Sequence, residues 1–211
     1  MEPVIIGKKY DKVAKWWDNR HRGSSYGLKP LQRAIGYCKN HRTALDVGCG
    51  SGGRMIFTIL ECGFEVTGVD VSRKMLDLAR KNHPEVSFEL SDINSWQTIK
   101  KFDLIVAWDS IFHLPADMQE PVVSKLCSYL EPDGILVYTF GDWFGDHEDL
   151  SFMDGNVKQV GELNDDLFGY GTIGIYENLR VLKENECKCM HLEIDQYPGR
   201  HVYVIGKKNP H

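Results

Sequence analysis

A run of glycines that directly follows a short apolar segment constrains this chain more than any other feature. Residues 44–53 read Ala-Leu-Asp-Val-Gly-Cys-Gly-Ser-Gly-Gly. The apolar residues predict a β-strand, and the glycines predict a tight turn that lets the backbone approach a ligand closely, since glycine has no Cβ. A helix that begins near Gly53 would direct its first N–H groups and the positive end of its dipole at the same place. The segment therefore predicts a strand, a ligand-binding turn and a helix in succession.

Two ligand classes fit the spacing of these glycines. The pattern Gly48-x-Gly50-x-x-Gly53 satisfies the dinucleotide fingerprint. Residues 46–52 read acid-x-Gly-x-Gly-x-Gly, which is the pattern of S-adenosylmethionine (SAM) sites. The acid two positions before the first glycine favours the second class.

Two further carboxylates follow predicted strands. Asp70 ends the apolar run after Phe64, and Asp92 follows the run that starts at Val86. A carboxylate at such a strand end reaches the crevice of an open α/β sheet and accepts hydrogen bonds from ribose hydroxyls. We expect Asp46 to lie by the amino-acid end of a ligand, Asp70 by its sugar and Asp92 by its purine amine. For Asp70, the alternative is an acid that only caps the next helix.

From residue 43 onward, short β-branched runs alternate with helical patterns, which predicts βαβ units and a parallel sheet. The predicted strands are 43–47, 65–69, 86–90, 102–107, 134–140, 187–194 and 201–206, and the predicted helices are 8–20, 29–40, 53–62, 73–82, 116–130 and 174–185. Ser72 is expected to cap the fourth helix. The connection 197–200 is too short for a parallel crossover, so we expect the last strand to be antiparallel. The first two helices are expected to pack over the open edge of the crevice.

The ordered set of motifs resembles that of the class I SAM-dependent methyltransferases, in their small-molecule group. These motifs are Asp46 to Gly52, Gly68 to Ser72, Asp92-Ile93, Phe102 to Val106 and Leu130 to Gly134. The resemblance covers residues 43–140 well. It implies an α/β, Rossmann-like three-layer sandwich with a seven-stranded, mostly parallel sheet of order 3-2-1-4-5-7-6 and strand 7 antiparallel. It implies SAM as the cofactor and no metal. Asp133 stands where the family usually has glycine, which alters a turn rather than the chemistry.

The resemblance also implies the residues of the site. The expected cofactor-binding residues are Tyr10, Trp17, Asp46, Gly48, Cys49, Gly50, Gly52, Asp70, Val71, Asp92, Ile93 and Trp108. Tyr10 and Trp17 belong to the opening helix, whose aromatic residues often cover the methionine moiety in this family.

The segment after the fourth strand supplies two candidates for the transfer site. Trp108 is expected to stack on the adenine edge or to face the sulfonium, and a core-filling tryptophan is the alternative. His113 is the candidate catalytic base, and a histidine held in the loop for packing is its alternative. A base helps only if the acceptor arrives protonated, as a phenol, an alcohol or an ammonium would.

Length, composition and charge limit the domain organisation and the partners that can be expected. With 211 residues, 42% of them hydrophobic, the chain is expected to form one domain, 1–211, with an N-terminal helical cap over 1–42. The net charge of −5 argues against nucleic acid as the main substrate. No apolar run approaches the roughly 18 to 20 residues of a membrane span, and no signal-peptide core is present, so we expect a cytoplasmic protein. Six scattered cysteines predict free thiols. Monomer and dimer both remain open.

Residues 142–168 form an acidic, lid-like insertion. It contains eight acidic residues and one lysine, with interleaved aromatic residues that give it something to bury. An acidic lid over a SAM site would favour a cationic amine as the acceptor. The alternative is a solvated loop whose charge aids solubility.

The sequence leaves four candidate functions open. The first is a SAM-dependent methyltransferase for a small-molecule acceptor. The second is an NAD(P)-dependent oxidoreductase, which leaves Asp92 and the antiparallel C-terminus unexplained and lacks a second catalytic domain. The others are a SAM-binding protein without catalysis and a methyltransferase for protein side chains.

Overall fold

The computed structural model describes residues 2–142, 145–147, 170–196 and 201–210, with the backbone alone at 145–147, 170 and 196. The described helices are α1 (Pro3–His21), α2 (Leu28–Ile35), α3 (Arg54–Glu61), α4 (Arg73–Asn82), α5 (Ala116–Ser128) and α6 (Gly174–Glu184), with a 3₁₀ turn at Ile111–His113. The strands are β1 (Thr43–Val47), β2 (Glu65–Asp70), β3 (Ser87–Leu90), β4 (Phe102–Ala107), β5 (Leu130–Gly141), β6 (Gly145–His147), β7 (Tyr170–Thr172), β8 (Cys187–Gln196) and β9 (His201–Lys208).

Seven strands form one sheet in the order β3-β2-β1-β4-β5-β9-β8. The first five strands in that order are parallel, and β9 runs antiparallel to both β5 and β8. This confirms the predicted α/β class, strand order and antiparallel final strand. The connection 197–200, from which the antiparallel strand was predicted, lies outside the described residues.

Apolar side chains cover both faces of the sheet, which makes it a rigid platform. Every residue of β4 is buried, and β1 is buried from Ala44 to Val47. Because β1 to β4 are parallel neighbours, their carboxyl ends meet at one edge of the sheet. The strand-end carboxylates are thereby brought to the same edge.

Several element boundaries differ from the prediction. Helix α1 begins at Pro3, five residues before the predicted start, because proline is well tolerated in the first turn of a helix. Strand β5 begins at Leu130, which pairs with Phe102. Asp133 takes a positive φ of 65° within it, and its carboxylate is bound by Lys39 and Lys207 at 2.7 and 3.0 Å.

The predicted position of the second helix over the crevice was wrong. Helix α2 ends at Ile35 rather than at residue 40, and none of its residues lines the cleft described below. Leu31, Ala34 and Ile35 are instead buried in the core cluster on one face of the sheet. The amphipathic pattern of the helix therefore serves the core.

Part of the segment predicted to be irregular forms a two-stranded ribbon. Residues 145–147 pair antiparallel with residues 170–172. Most of the acidic insertion, residues 143–144 and 148–168, lies outside the described residues. Its predicted role as a lid stays a prediction.

Helix α1 crosses the carboxyl ends of the strands and is fixed to α4. The Asp11 carboxylate accepts hydrogen bonds from the Ser72 hydroxyl at 2.6 Å and from the Lys74 amide at 2.9 Å. Asn82 donates to Asp18 at 3.3 Å. Ser72 also accepts from the Met75 amide, so the predicted cap of α4 is confirmed. These contacts hold α1 in place as one wall of a cleft.

Candidate cofactor and transfer site

A cleft opens at the carboxyl ends of β1 to β4, beneath α1, with about 1170 Å³ of empty space that includes its opening to solvent. Most of the residues expected from sequence line this cleft, namely Tyr10, Trp17, Asp46, Gly48, Cys49, Gly50, Asp70, Val71, Asp92, Ile93, Trp108 and His113. Gly52 does not. Residues of α1 thus come together with residues that follow β1, β2, β3 and β4.

The glycine loop between β1 and α3 combines a packed position with an open one. Gly48 has φ of 72°, and a Cβ there would lie 2.4 Å from the Cβ of Ser110. Gly50 has φ of 56°, and a Cβ there would meet nothing within 4 Å. The space beside Gly50 therefore belongs to the cleft, and the loop leaves room for a ligand to approach its backbone.

Gly52 packs against α4 and is not among the residues that line the cleft. A Cβ at this position would lie 3.2 Å from side-chain atoms of Ala79 and His83, and its φ of 68° disfavours other residues. The residue allows the loop to pack closely against α4.

Asp70 organises the loop from the end of β2. Its carboxylate accepts hydrogen bonds from the Gly50 amide at 2.8 Å and the Ser72 amide at 2.7 Å. Burial raises its pKa, and these two N–H groups act in the opposite direction. Each carboxylate oxygen has a further lone pair, so the group can also accept bonds from a ligand's hydroxyls.

Asp46 lies at the end of β1 and is 3% exposed. No hydrogen-bond donor among the described residues reaches its side chain. Burial, reinforced by the nearby Asp70 carboxylate, raises the pKa of Asp46 to about 7. An unpaired buried carboxyl group at a cleft is suited to a ligand that brings a positive charge.

Asp92 lies beyond β3, the third strand in the series β1, β2, β3. Its Oδ1 accepts hydrogen bonds from the backbone and side-chain nitrogens of Asn94, both at 2.9 Å, so this oxygen fixes a turn. Neighbouring strands lie about 4.8 Å apart, so an extended ligand of roughly 10 Å would span from Asp46 to Asp92. The three acids are therefore arranged along one line.

Trp108 ends up at the other side of the cleft from Asp92. It follows β4, which lies three strand spacings, about 14 Å, from β3. This distance argues against the expected contact between Trp108 and an adenine held at Asp92. The side chain packs edge-on to Tyr26, with ring centroids 5.8 Å apart.

Aromatic side chains of α1 form the outer wall. The Tyr10 hydroxyl and His113 Nε2 are hydrogen-bonded at 2.9 Å, although the residues are 103 positions apart in sequence. Tyr10 packs edge-on to Trp17 at 5.5 Å, and Trp17 lies against His21 at 4.1 Å between ring centroids. His113 is 5% exposed. Tyr10 and His113 were expected at different parts of the site, and the structure joins them.

Sequence reasoning missed a charged cluster beside Trp108. Asp109 Oδ1 lies 2.9 Å from His201 Nε2, and His201 Nδ1 is hydrogen-bonded to Asp195. The position of Asp109 in the sequence could have identified it, because it is a fourth acid close to the end of a strand, two residues after β4. His201 carried no such signal, since its partner is 92 residues away.

Arg54, at the first position of α3, was also missed. Its Nε donates to the Tyr26 carbonyl at 2.5 Å, and its guanidinium lies 5.3 Å from the Tyr26 ring centre. Burial lowers its pKa, and the nearby Asp109 and Asp46 act in the opposite direction. The cleft thus holds one buried cation between two carboxyl groups.

Comparison with known proteins agrees with this architecture. A family model described as "Methyltransferase domain" matches residues 44–134. The chain is 31% identical over 149 residues to a ubiquinone biosynthesis O-methyltransferase of Actinobacillus pleuropneumoniae, covering 62% of each chain. It is 32% identical over 114 residues to a trans-aconitate 2-methyltransferase of Rhizobium leguminosarum, covering 54% of this chain and 44% of the relative. The chain therefore spans less than two thirds of the length of either relative.

A solved structure extends the fold comparison to almost the whole chain. The crystal structure of a magnesium protoporphyrin IX methyltransferase from Synechocystis, with bound S-adenosylhomocysteine (SAH), superposes with a TM-score of 0.72. The superposition covers 99% of this chain and 100% of that one at 16% identity. Residues 44–134 thus belong to the methyltransferase family that matches them, and the whole chain has the fold of the class I SAM-dependent methyltransferases, a family whose cofactor is SAM.

Proposed function

We propose that this chain is an enzyme that transfers a methyl group from SAM to a small-molecule acceptor, and that residues 1–211 form a single domain. The observation that carries the proposal is the line of Asp46, Asp70 and Asp92 across three adjacent strand ends, beside an open glycine loop. Such a line suits a ligand with a cationic amine at one end, a ribose in the middle and a purine at the other.

When bound, SAM supplies a methyl group on a positively charged sulfur, which a nucleophile displaces in line. The protein's own task is to hold the two partners close, aligned and dry. We assign the amino group to Asp46, the ribose hydroxyls to Asp70 and the purine amine to Asp92. Helix α1 covers the site through Tyr10 and Trp17 and keeps water out.

His113 is proposed as the base that takes a proton from the acceptor. Its Nε2 is already bonded to the Tyr10 hydroxyl at 2.9 Å. Tyr10 is therefore part of any proton path that uses this nitrogen. A packing role for His113 is the competing interpretation, since its ring is buried against Phe112 at 4.9 Å between centroids.

The nature of the acceptor is a separate part of the proposal. The curated relatives are named for ubiquinone biosynthesis and for trans-aconitate, which supports a small molecule in general. The acidic composition of residues 142–168 supports an amine. The oxidoreductase, the non-catalytic SAM-binding protein and the protein methyltransferase remain the alternatives that the experiments separate.

The test is SAH production from SAM with a panel of amines, phenols and carboxylic acids, followed by His113→Ala with the best acceptor. We expect turnover to fall by about 10²-fold or more, the range of a lost general base, with SAH affinity changed less than about twofold. Tyr10→Phe removes the hydroxyl bonded to His113 Nε2 and keeps the ring, so it should also lower turnover if the proton passes through this bond. Equal losses of turnover and affinity would assign His113 to packing. Binding of SAM without turnover on any acceptor would favour the non-catalytic protein.

A further inference from the structure

Asp109 occupies an unusual backbone conformation at the edge of the cleft. Its φ is 51°, in the left-handed region that non-glycine residues seldom enter, although aspartate and asparagine tolerate it better than most. Its amide donates to the Thr139 hydroxyl at 2.8 Å, which holds this conformation. The residue lines the cleft, and its side chain is 14% exposed.

All hydrogen bonds of the Asp109 carboxylate to described residues use Oδ1. This oxygen lies 2.9 Å from His201 Nε2 and accepts from Tyr26 and Thr139, each at 3.4 Å. Oδ2 has no donor in the described part of the chain. One oxygen thus anchors the side chain, and the other is available to a ligand.

His201 places a positive charge beside this carboxylate. His201 is 5% exposed and lies between Asp109 and Asp195, so its imidazolium is balanced on both sides. Burial alone would lower the pKa of His201, but the hydrogen bonds and charges of the two carboxylates raise it to about 9. The rings of Tyr26, Trp108 and Phe112 also pack around His201 and carry no charge at neutral pH. On the cleft side, Arg54 and His21 are the titratable groups that act on Asp109.

A second observation at the same place points to a ligand. Trp108 Nε1 and Ser110 Oγ, on either side of Asp109, are buried and have no hydrogen-bond partner in the described residues. Trp108 is 6% exposed, and both residues line the cleft. Buried polar groups without partners are rare in native proteins, because each costs about 1–3 kcal/mol.

We propose that Asp109 binds a cationic or N–H-donating group of the acceptor next to the methyl being transferred, and that His201 and Asp195 are the residues that position it. This inference rests on the proposed function and identifies the substrate class at that site as an amine. No bond to the protein forms or breaks in this step. Asp109 Oδ2 accepts a hydrogen bond from the acceptor's N–H. The nitrogen lone pair would form the new bond to the methyl carbon as the bond from that carbon to sulfur breaks, and the acceptor's proton would pass to His113, the base proposed above.

The test uses a probe of known structure rather than the unidentified acceptor. Sinefungin carries a primary amine on a carbon that replaces the methyl-bearing sulfur of SAM, so its ammonium group projects to the place of the transferred methyl. SAH lacks both the methyl and this charge. The ratio of the Kd of SAH to the Kd of sinefungin therefore reports on negative charge at the transfer point.

We expect Asp109→Asn to lower this ratio about tenfold or more at pH 7, with the Kd of SAH changed less than about twofold, since a charge-assisted hydrogen bond is lost. Asparagine suits the backbone conformation of position 109, so the variant is expected to fold. Asp77→Asn, at a half-exposed carboxylate on α4, is the matched control and should leave the ratio unchanged.

His201→Gln tests the positioning role through a pH profile. Without the imidazolium, the charges of Asp109 and Asp195 repel each other, which disfavours the charged forms, so we expect the negative charge of this pair to fall as the pH falls. We expect the ratio in this variant to rise from pH 6 to pH 8, whereas the wild-type ratio stays nearly flat over that range.

The outcomes separate the two proposals. An unchanged ratio in Asp109→Asn, or an equal loss of SAH and sinefungin affinity, would overturn the acceptor role of Asp109. A flat profile in His201→Gln would overturn the positioning role of His201. Failure of the wild-type protein to bind either SAH or sinefungin would instead contradict the proposed function.

Discussion

Two carboxyl groups at neighbouring strand ends of this cleft have opposite surroundings. Asp70 accepts two backbone N–H bonds, which favour its charged form. Asp46 receives none from the described residues, and its pKa is raised to about 7 by burial and by Asp70. In the empty cleft at mildly acidic pH, Asp46 therefore holds a proton that a cationic ligand would displace.

This difference predicts proton release on ligand binding. One unit below a pKa of about 7, roughly 90% of Asp46 is protonated, so SAH binding at pH 6 should release close to one proton as the ligand's ammonium group lowers that pKa. Calorimetry in two buffers of different ionisation enthalpy measures the released protons. Asp46→Asn should abolish the release. Its absence in the wild-type protein would remove Asp46 from the amino-group site.

The acids that line the cleft at β1, β2 and β3 could be predicted from sequence because each lies at or just after the end of a strand. Asp46, Asp70 and Asp92 are local signals of this kind. The Asp109–His201 contact was not accessible, because it depends on β9 inserting antiparallel beside β5, with His201 opposite Gly141. The packing of Gly52 against α4 was not accessible either, because this contact is made across the fold.

At the scale of elements, helix α1 decides how the cleft is covered. Gly7 lies against the turn after β2, where a Cβ would stand 2.5 Å from the Val71 carbonyl oxygen. That neighbour is backbone and cannot rotate away. The close approach therefore requires glycine at this position of α1.

Gly7→Ala is expected to lift α1 from the cleft. Overpacking of this kind costs about 1–3 kcal/mol, so SAH binding should weaken by about fivefold to a hundredfold even where higher helix propensity offsets part of the lost stability. The control is Gly23→Ala, because a Cβ at Gly23 meets nothing within 4 Å. Calorimetry on both variants measures the effect. Equal affinities for the two would show that α1 does not cover the cofactor.

Helices α1 and α2 show that the sequence pattern predicts the existence of a helix better than its ends or its position in the fold. The existence of α1 was predicted from the sequence, and the resemblance to the family's opening helix implied that Tyr10 and Trp17 cover the site. Its start at Pro3 was missed, because local preference leaves a helix end free to extend until packing fixes it. The existence of helix α2 was predicted, but its predicted position over the cleft was wrong. An amphipathic pattern shows that one face of a helix is buried and does not identify the surface against which that face packs.

At the scale of the whole molecule, charge is distributed unevenly. The chain carries a net charge of −5, and residues 142–168 alone contain eight acids and one lysine. Among the described residues, no helix combines the length and the apolar character needed to cross a bilayer. The acidic segment is the largest charged feature of the sequence.

Neutralising Asp142, Asp146 and Glu148 together tests whether the charge of the acidic segment favours an amine as the acceptor. With a Debye length of about 8 Å at physiological ionic strength, only acids near the cleft act on an acceptor. We expect the triple amide variant to raise the KM of an amine acceptor and to reduce its salt dependence, with SAH affinity nearly unchanged. Steady-state kinetics at low and high salt measure both quantities. Wild-type kinetics in the variant would make the charge a solubility feature.

The central claim is that the line of strand-end acids binds SAM, and calorimetry of SAH and NADH tests it most directly, on the wild-type protein and on Asp70→Asn. We predict that the wild-type protein binds one SAH per chain and does not bind NADH. Asp70→Asn should remain folded and bind SAH at least about tenfold more weakly, since hydrogen bonds to a charged group contribute about 1.5–3 kcal/mol each. Preference for NADH, or unchanged SAH affinity in the folded variant, would contradict the claim.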